Sequence, residues 1–288
     1  MSQLKQVAAN SKFFSEFKVF VKSYQQVTLM DMEKIRQRVL EARAYADGLQ
    51  DVFFDVKQNY DQQILELLKK QPDHEQNFST LPKNNRQALI LLSPVTKFSG
   101  KINRKVFVNF SDFWHQNETN TDVFIMGKTG QAFFTNQFPN QPFENIETLE
   151  VTIKKLSLYQ KINVFYPRFY NVVTQKPVIT NLSGEKSFLQ EFNTDASTYE
   201  TDNKNYLFEP NLDKILNFFE LQIFAILFNK TIEESDLAHL GARLTTLEAT
   251  TQTLEEYTKK LQLQYQKLKR MSDNKKQRQR LAGIHLWK

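Results

Sequence analysis

No proline occurs in this chain before Pro72 or after Pro210, so both ends lack the one residue that reliably stops a helix. A helix rises about 1.5 Å per residue, and one filling most of the C-terminal stretch would be ~100 Å long. A compact globule of 288 residues has a radius of gyration of only ~19 Å. Such a helix cannot be folded inside such a ball. The pattern predicts a shaft carrying a side domain, and it places function at whatever grips each end of the shaft.

The side chains along the two ends support a shaft. Phe13, Phe17, Phe20, Tyr24 and Val27 recur at alternating steps of four and three, and Met32, Ile35, Val39, Ala42, Ala46 and Leu49 continue the stripe after a short slip. Leu237, Leu240, Leu244, Leu247, Thr251, Leu254, Leu261, Tyr265 and Leu268 repeat the device near the C-terminus. Steps of three and four sustained this long describe a coiled-coil seam better than one face of a globular helix. Each stripe needs a partner, and the economical solution is for the two rods to pair antiparallel with each other. Two independent helices in a larger bundle are the alternative.

Between the ends the period changes. Residues 72–82 are polar and read as a linker, as do residues 183–205. Apolar runs at 88–93, 123–126, 162–166 and 178–180 read as strands, with helices over 102–114 and 146–158 between them. Strands alternating with helices imply a small, mainly parallel sheet. The fold class expected is α/β: a long antiparallel coiled coil of the N- and C-terminal helices plus a small Rossmann-like α/β domain. The divisions expected are a coiled-coil helix over 1–71, the side domain with flanking linkers over 72–205, and a second coiled-coil helix with a basic tip over 206–288.

Composition narrows the function classes. The chain is 40% hydrophobic and 24% charged, too apolar for disorder. It has no cysteine, which removes disulfides and thiolate metal sites and makes a reducing cytosol the default compartment. The most apolar run, 215–228, carries Asn217, Glu220 and Gln222 and is shorter than the ~20 residues needed to cross a bilayer. The formal charge is +6. From Lys267 onward eight Lys/Arg residues face only Asp273, a run suited to nucleic acid, lipid headgroups or an acidic protein surface. The same run also reads as a solvated helix end whose cations suit the helix dipole.

Catalytic patterns are missing. Gly127-Lys128-Thr129 follows an apolar strand as the end of a phosphate-binding loop would, but the motif needs a glycine five positions before Gly127, where Asp122 stands. A tight strand-to-helix turn is the better reading. His74, His115, His239 and His285 are dispersed without metal spacing. His239 beside Asp236 reads as pairing on the surface of the rod, not as acid-base chemistry.

Several collinear segments together resemble one family. Phe20-Val21-Lys22-Ser23-Tyr24 and Arg43-Ala44-Tyr45-Ala46 look like the ITKAM and RPYA segments of the gamma subunit of F-type ATP synthases, the central rotor stalk. Ile125-Met126-Gly127-Lys128-Thr129-Gly130 is similar to its IGSKG turn, Thr174-Gln175-Lys176-Pro177 to its MSQxP segment, and Tyr206-Leu207-Phe208-Glu209-Pro210 to the YLYEP that opens its last helix. Ala242-Arg243-Leu244 and Leu261-Gln262-Leu263-Gln264-Tyr265 resemble AARM and LQLxYN. The departures lie elsewhere. Where the family carries DRGLCGG, residues 95–101 read VTKFSGK; the glutamate before AARM is His239; and the acidic-polar tail ITQELTEI is replaced by the basic stretch 273–280.

The resemblance implies a noncatalytic rotor inside a hexameric ring of alpha- and beta-type subunits, with ATP and Mg²⁺ held on those partners and no cofactor on this chain. It places the tip contacts to the ring at Lys269, Arg270, Asn274, Lys275 and Lys276. The seam read from the two stripes pairs Phe17, Phe20, Tyr24 and Val27 with Leu240, Leu244, Leu247, Leu254, Leu261 and Tyr265. An epsilon-like or other protein would hold the foot of the shaft, and the complex would lie in the cytoplasm against the inner face of the cell membrane, without a membrane span in this chain. The departures suggest a specialised copy, of the kind found in the ATP-synthase-like complexes of mycoplasmas, including those associated with gliding motility. An ordinary ion-transporting ATP synthase is the neighbouring reading. The rival from another class is a structural coiled-coil or nucleic-acid-binding protein that uses the basic tail.

Overall fold

The computed structural model describes residues 3–68, 83–94, 99–117, 120–182 and 212–285. Helix α1 spans Gln3–Leu68 and helix α5 spans Leu212–His285. Neither helix contains a proline, and α1 holds one glycine, Gly48. The expected linkers at 72–82 and 183–205 lie outside the described residues. The chain divides into two compact units, one made of Met1–Asp31 with Arg243–Lys288 and the other of Met32–Ala242. Both divisions fall inside a long helix.

The larger unit is built on a sheet of β1 (Gln87–Leu92), β2 (Thr121–Met126), β3 (Glu144–Asn145), β4 (Lys161–Phe169) and β5 (Gln175–Asn181), in the order β3-β2-β1-β4-β5. All neighbours are parallel except β4 and β5, which form an antiparallel hairpin. Central β1 reads Gln-Ala-Leu-Ile-Leu-Leu and is buried from Ala88 onward, as expected of a parallel strand covered on both faces. The pleat sorts its residues. Leu89 and Leu91, with Val123, Ile125 and Phe165, face α2 (Ile102–Gln116) and α3 (Lys128–Gln137). Ala88, Ile90 and Leu92, with Phe124, Val164 and Tyr166, face Leu156 of α4 (Leu149–Leu156) and Ile223, Phe224, Leu227, Phe228 and Ile232 of α5. The result is a three-layer α/β/α sandwich.

Aromatic rings fill the α2 side. Phe110 meets Phe165 edge-on with centroids 5.2 Å apart and Phe134 at 6.1 Å. All three are fully buried, and each contributes about 1.5–3 kcal/mol relative to exposure. Two details depart from the sequence expectation. The helix expected over 146–158 begins only at Leu149, because Thr148 is extended (φ −119°) and the chain before it pairs with β2 as the two-residue β3. Helix α3 is the helix opened by the strand-to-helix turn at Gly127, and its extent was not expected, since its KTGQAFFTNQ carries a glycine and no sustained apolar stripe.

Candidate functional site

The glycine-lysine-threonine turn is the first place to look for chemistry. Gly127 follows β2 at φ +94°, and a Cβ there would lie 2.1 Å from the Ser93 carbonyl oxygen, so only glycine fits. The Ser93 hydroxyl donates to the Met126 carbonyl at 2.8 Å and accepts the Gly130 N–H at 2.8 Å. In a phosphate loop such an N–H would point at the ligand. Here the serine already occupies it, the neighbouring backbone groups are carbonyl oxygens that repel an anion, and Lys128 is exposed. The geometry is that of a closed strand-to-helix turn. Among the described residues, no group of three or more His, Asp or Glu is placed to hold a metal ion. His115 packs against Trp114 and Phe138, and His239 is buried.

The smaller unit has a more definite organisation. In its part of α5 the inward residues are Leu244, Leu247, Thr251, Leu254, Thr258, Leu261, Tyr265, Leu268 and Ser272, an unbroken alternation of three and four. In α1 the inward residues are Leu4, Val7, Ser11, Phe14, Lys18, Val21, Gln25 and Thr28, again at alternating three and four. Val21, Leu247 and Leu254 form the buried apolar centre, with Phe14 and Tyr24 against it. Lys18 Nζ pairs with Glu255 Oε1 at 2.8 Å, and Gln25 Nε2 donates to Glu248 Oε2 at 2.9 Å. As one position climbs the other descends, so the helices run antiparallel.

The α1 seam therefore differs from the one expected. Phe17, Phe20 and Val27 face outward, 40%, 63% and 48% exposed, while Tyr24 is half-buried beside the seam. The true seam is the same ladder displaced by one residue: Phe14, Lys18, Val21, Gln25 and Thr28. Its polar members are accommodated individually. Lys18 and Gln25 have partners on α5, and the buried Thr28 hydroxyl donates to the Tyr24 carbonyl, while Arg243 lies over the Tyr24 ring. The signal that could have revealed this register was the pairing of Lys18 and Gln25 with acidic residues seven apart, Glu248 and Glu255.

Ionisation follows these contacts. The Lys18 ammonium hydrogen-bonded to Glu255, and its charge, hold that carboxyl below its ordinary range. In the larger unit, burial raises the Tyr166 phenol, which donates to Glu234 at 3.0 Å while accepting from Arg168 at 3.1 Å. Lys269, Arg270, Asn274, Lys275 and Lys276 all stand exposed on α5, and from Asp273 to Ala282 every side chain does.

These features have a known counterpart. The family model described as ATP synthase matches residues 3–272. The ATP synthase gamma chain of a Wolbachia strain from Brugia malayi is 22% identical over 282 residues, covering 92% of each chain, and that of Staphylococcus carnosus is 24% identical over 284 residues, again with 92% of each covered. The rotor of the Euglena gracilis mitochondrial ATP synthase matches in fold with a TM-score of 0.56 at 14% identity, covering 93% of this chain and 98% of that one. A second Euglena structure, of the OSCP/F1/c-ring assembly, gives a TM-score of 0.58 at 12% identity, with 98% of this chain and 93% of that one covered. A family match over residues 3–272 and relatives aligned over nine-tenths of their length lead to one conclusion: this chain belongs to the ATP synthase gamma family.

Proposed function

We propose that this chain turns inside a hexameric ring of alpha- and beta-type subunits that carry ATP and Mg²⁺, and transmits their conformational cycle as torque. The observation that carries the reading is the coil of α1 and α5, two different sequences that present different side chains at each point round its circumference. A ring subunit facing such a surface has its conformational equilibrium biased only by the difference in contact free energy between its states. A shaft with an asymmetric surface supplies that difference and moves it from one subunit to the next as it turns. The exposed cations and amide at Lys269, Arg270, Asn274, Lys275 and Lys276 are the tip contacts in this reading, meeting carboxylates on the ring. Among the described residues no helix is long and apolar enough to cross a membrane, so anchorage at the inner face of the cell membrane falls to a partner at the foot, an epsilon-like chain.

The specialised-copy reading rests on the same departures as before: the replaced glycine-rich segment at 95–101 and the basic stretch at 273–280. In that reading the motor drives a mechanical output such as gliding, not ion transport. Purification of the native complex through a tag on this chain tests both levels. Alpha- and beta-type ATPase subunits are the expected companions. A membrane ring in the same complex favours an ion-transporting synthase, and its replacement by other structural chains favours the specialised machine. The isolated chain is expected to hydrolyse no ATP; turnover lost on Lys128→Ala would overturn its role as a shaft.

A further inference from the structure

Two buried polar atoms stand without partners at the start of α2. The hydroxyl of Ser99, a residue only 3% exposed, and the amide oxygen of Asn103 are shielded from solvent, and among the described residues neither has a hydrogen-bond partner. Ser99 and Asn103 lie two residues either side of Lys101, which occupies the N-cap, so both flank the first turn. Asn103 stands at helical spacing from the buried Val106, Phe107, Phe110 and Trp114, which turns its amide inward beneath the helix start. Native interiors seldom leave such groups unsatisfied, because each one costs the full loss of its hydration.

The backbone at the same place offers donors. Gly100 has φ +61°, Lys101 follows in the right-handed helical region, and no side chain caps the helix. A left-handed residue followed by a right-handed one turns successive N–H groups toward one point, a concavity that binds anions. Here it adjoins the positive end of a 15-residue helix. The charges agree. Residues 76–111 hold six Lys/Arg and no Asp or Glu. Three of the six, Lys101, Arg104 and Lys105, stand exposed at the start of α2, whose first turn has no acidic residue. A helix dipole disfavours cations at this end. An anion relieves all three together, and a buried water does not.

The sheet sets the location. Strand order reverses at β1: α2 leads from it to β2 across one face, while α4 delivers the chain to β4, on the other side of β1, across the opposite face. Ligands of open parallel sheets bind just beyond the carboxyl ends of the strands at such a reversal.

We propose that the start of α2 is a phosphate-binding site, independent of the shaft reading. The phosphate oxygens accept from the Ser99 hydroxyl and the amides of the Gly100–Lys101 turn. The Asn103 amide, rotated to present its NH2 in place of its oxygen, donates as well, and Lys101, Arg104 and Lys105 supply the opposing charge. The phosphate group is that of the free ion or the terminal one of a nucleotide.

The test titrates the full-length chain, in buffer free of phosphate and sulfate and at matched ionic strength, with inorganic phosphate and separately with ADP, read by calorimetry and by thermal melting. Saturable binding is expected, with a rise in melting temperature. Ser99→Ala should weaken binding about 10-fold, and Lys101→Gln/Arg104→Gln/Lys105→Gln should weaken it at least as much. Without ligand, Ser99→Ala should melt no lower than the parent, since it deletes a hydroxyl that has no partner; a lower melting temperature would mean a structural hydroxyl and overturn the site. Phosphate bound as tightly as ADP identifies the free ion as ligand, and ADP bound more tightly and displaced by phosphate identifies a nucleotide. No saturable binding of either, or binding that both variants leave unchanged, overturns the proposal and leaves the shaft reading intact.

Discussion

Gln25 Nε2 donates to Glu248 Oε2 at 2.9 Å across a sequence separation of 223 residues, one heptad along each helix from the Lys18–Glu255 ion pair. Two polar rungs in equivalent positions fix the register of the coil, because sliding either helix by one residue would break both at once. The apolar centre between them is small. Register here is specified more by polar matching than by packing.

The ion pair makes the coil acid-sensitive. Glu255 titrates below its ordinary value, so its contribution to stability is present above that ordinary value and disappears as pH falls through the lower value of the folded state. Helicity melts of the full chain and of Glu255→Gln should therefore differ at neutral pH and converge in acid, below about pH 4. Because the pair is partly exposed, the neutral-pH difference should be small and should shrink in high salt.

Adjacent positions on α1 should behave oppositely. Val21 is buried against Leu247 and Leu254, and Val21→Asp places an unpaired carboxylate there at a cost of about 3 kcal/mol or more. Phe20→Gln, one residue away but outward, should change the stability of the isolated chain by no more than ~0.5 kcal/mol. Chemical denaturation of the two variants checks this, and equal losses would mean that the outward row packs inside the chain.

Gly127→Ala should destabilise the α/β unit by at least about 2 kcal/mol, combining a strained positive φ with the collision against Ser93. Lys128→Ala, exposed on the same turn, should leave the melting temperature within about 1 °C. Thermal unfolding of both variants gives the comparison.

Glu234→Gln removes the carboxylate that lies 3.3 Å from Arg168 Nε and accepts from the Tyr166 hydroxyl. Leaving the guanidinium without its counter-charge should cost about 1–3 kcal/mol. The burial-raised phenol should then titrate nearer its ordinary value, since a negative neighbour opposes phenolate formation, and ultraviolet absorbance during alkaline titration reads that change.

Much of this was legible in the sequence. Runs of β-type residues at 88–93 and 162–166 are buried strands, and the proline-free ends are long helices. The α1 register was not, and the reason is physical. Periodicity arguments find the most apolar stripe and assume that the chain buries it against itself. At Phe13, Phe17 and Phe20 the chain instead leaves that stripe outside and builds its own seam from Lys18, Gln25 and Thr28, and the partners of Lys18 and Gln25 sit on the other helix, about 220 residues and more away in sequence. The extent of helix α3 was not legible because Gly130 is retained for close packing on Ser93, a tertiary demand that overrides helix propensity.

A seam that repeats every seven residues in an α-helix imposes a left-handed supercoil with a pitch of ~150 Å. The row from Phe13 to Val27 rises ~21 Å along α1 and must wind with it, through about 50°. It is thus a segment of screw thread, not a straight rib. For any wall pressed against it, turning the shaft and sliding it lengthwise are partly the same motion, so a sideways push from the wall carries an axial component whose sign is fixed by the hand of the coil.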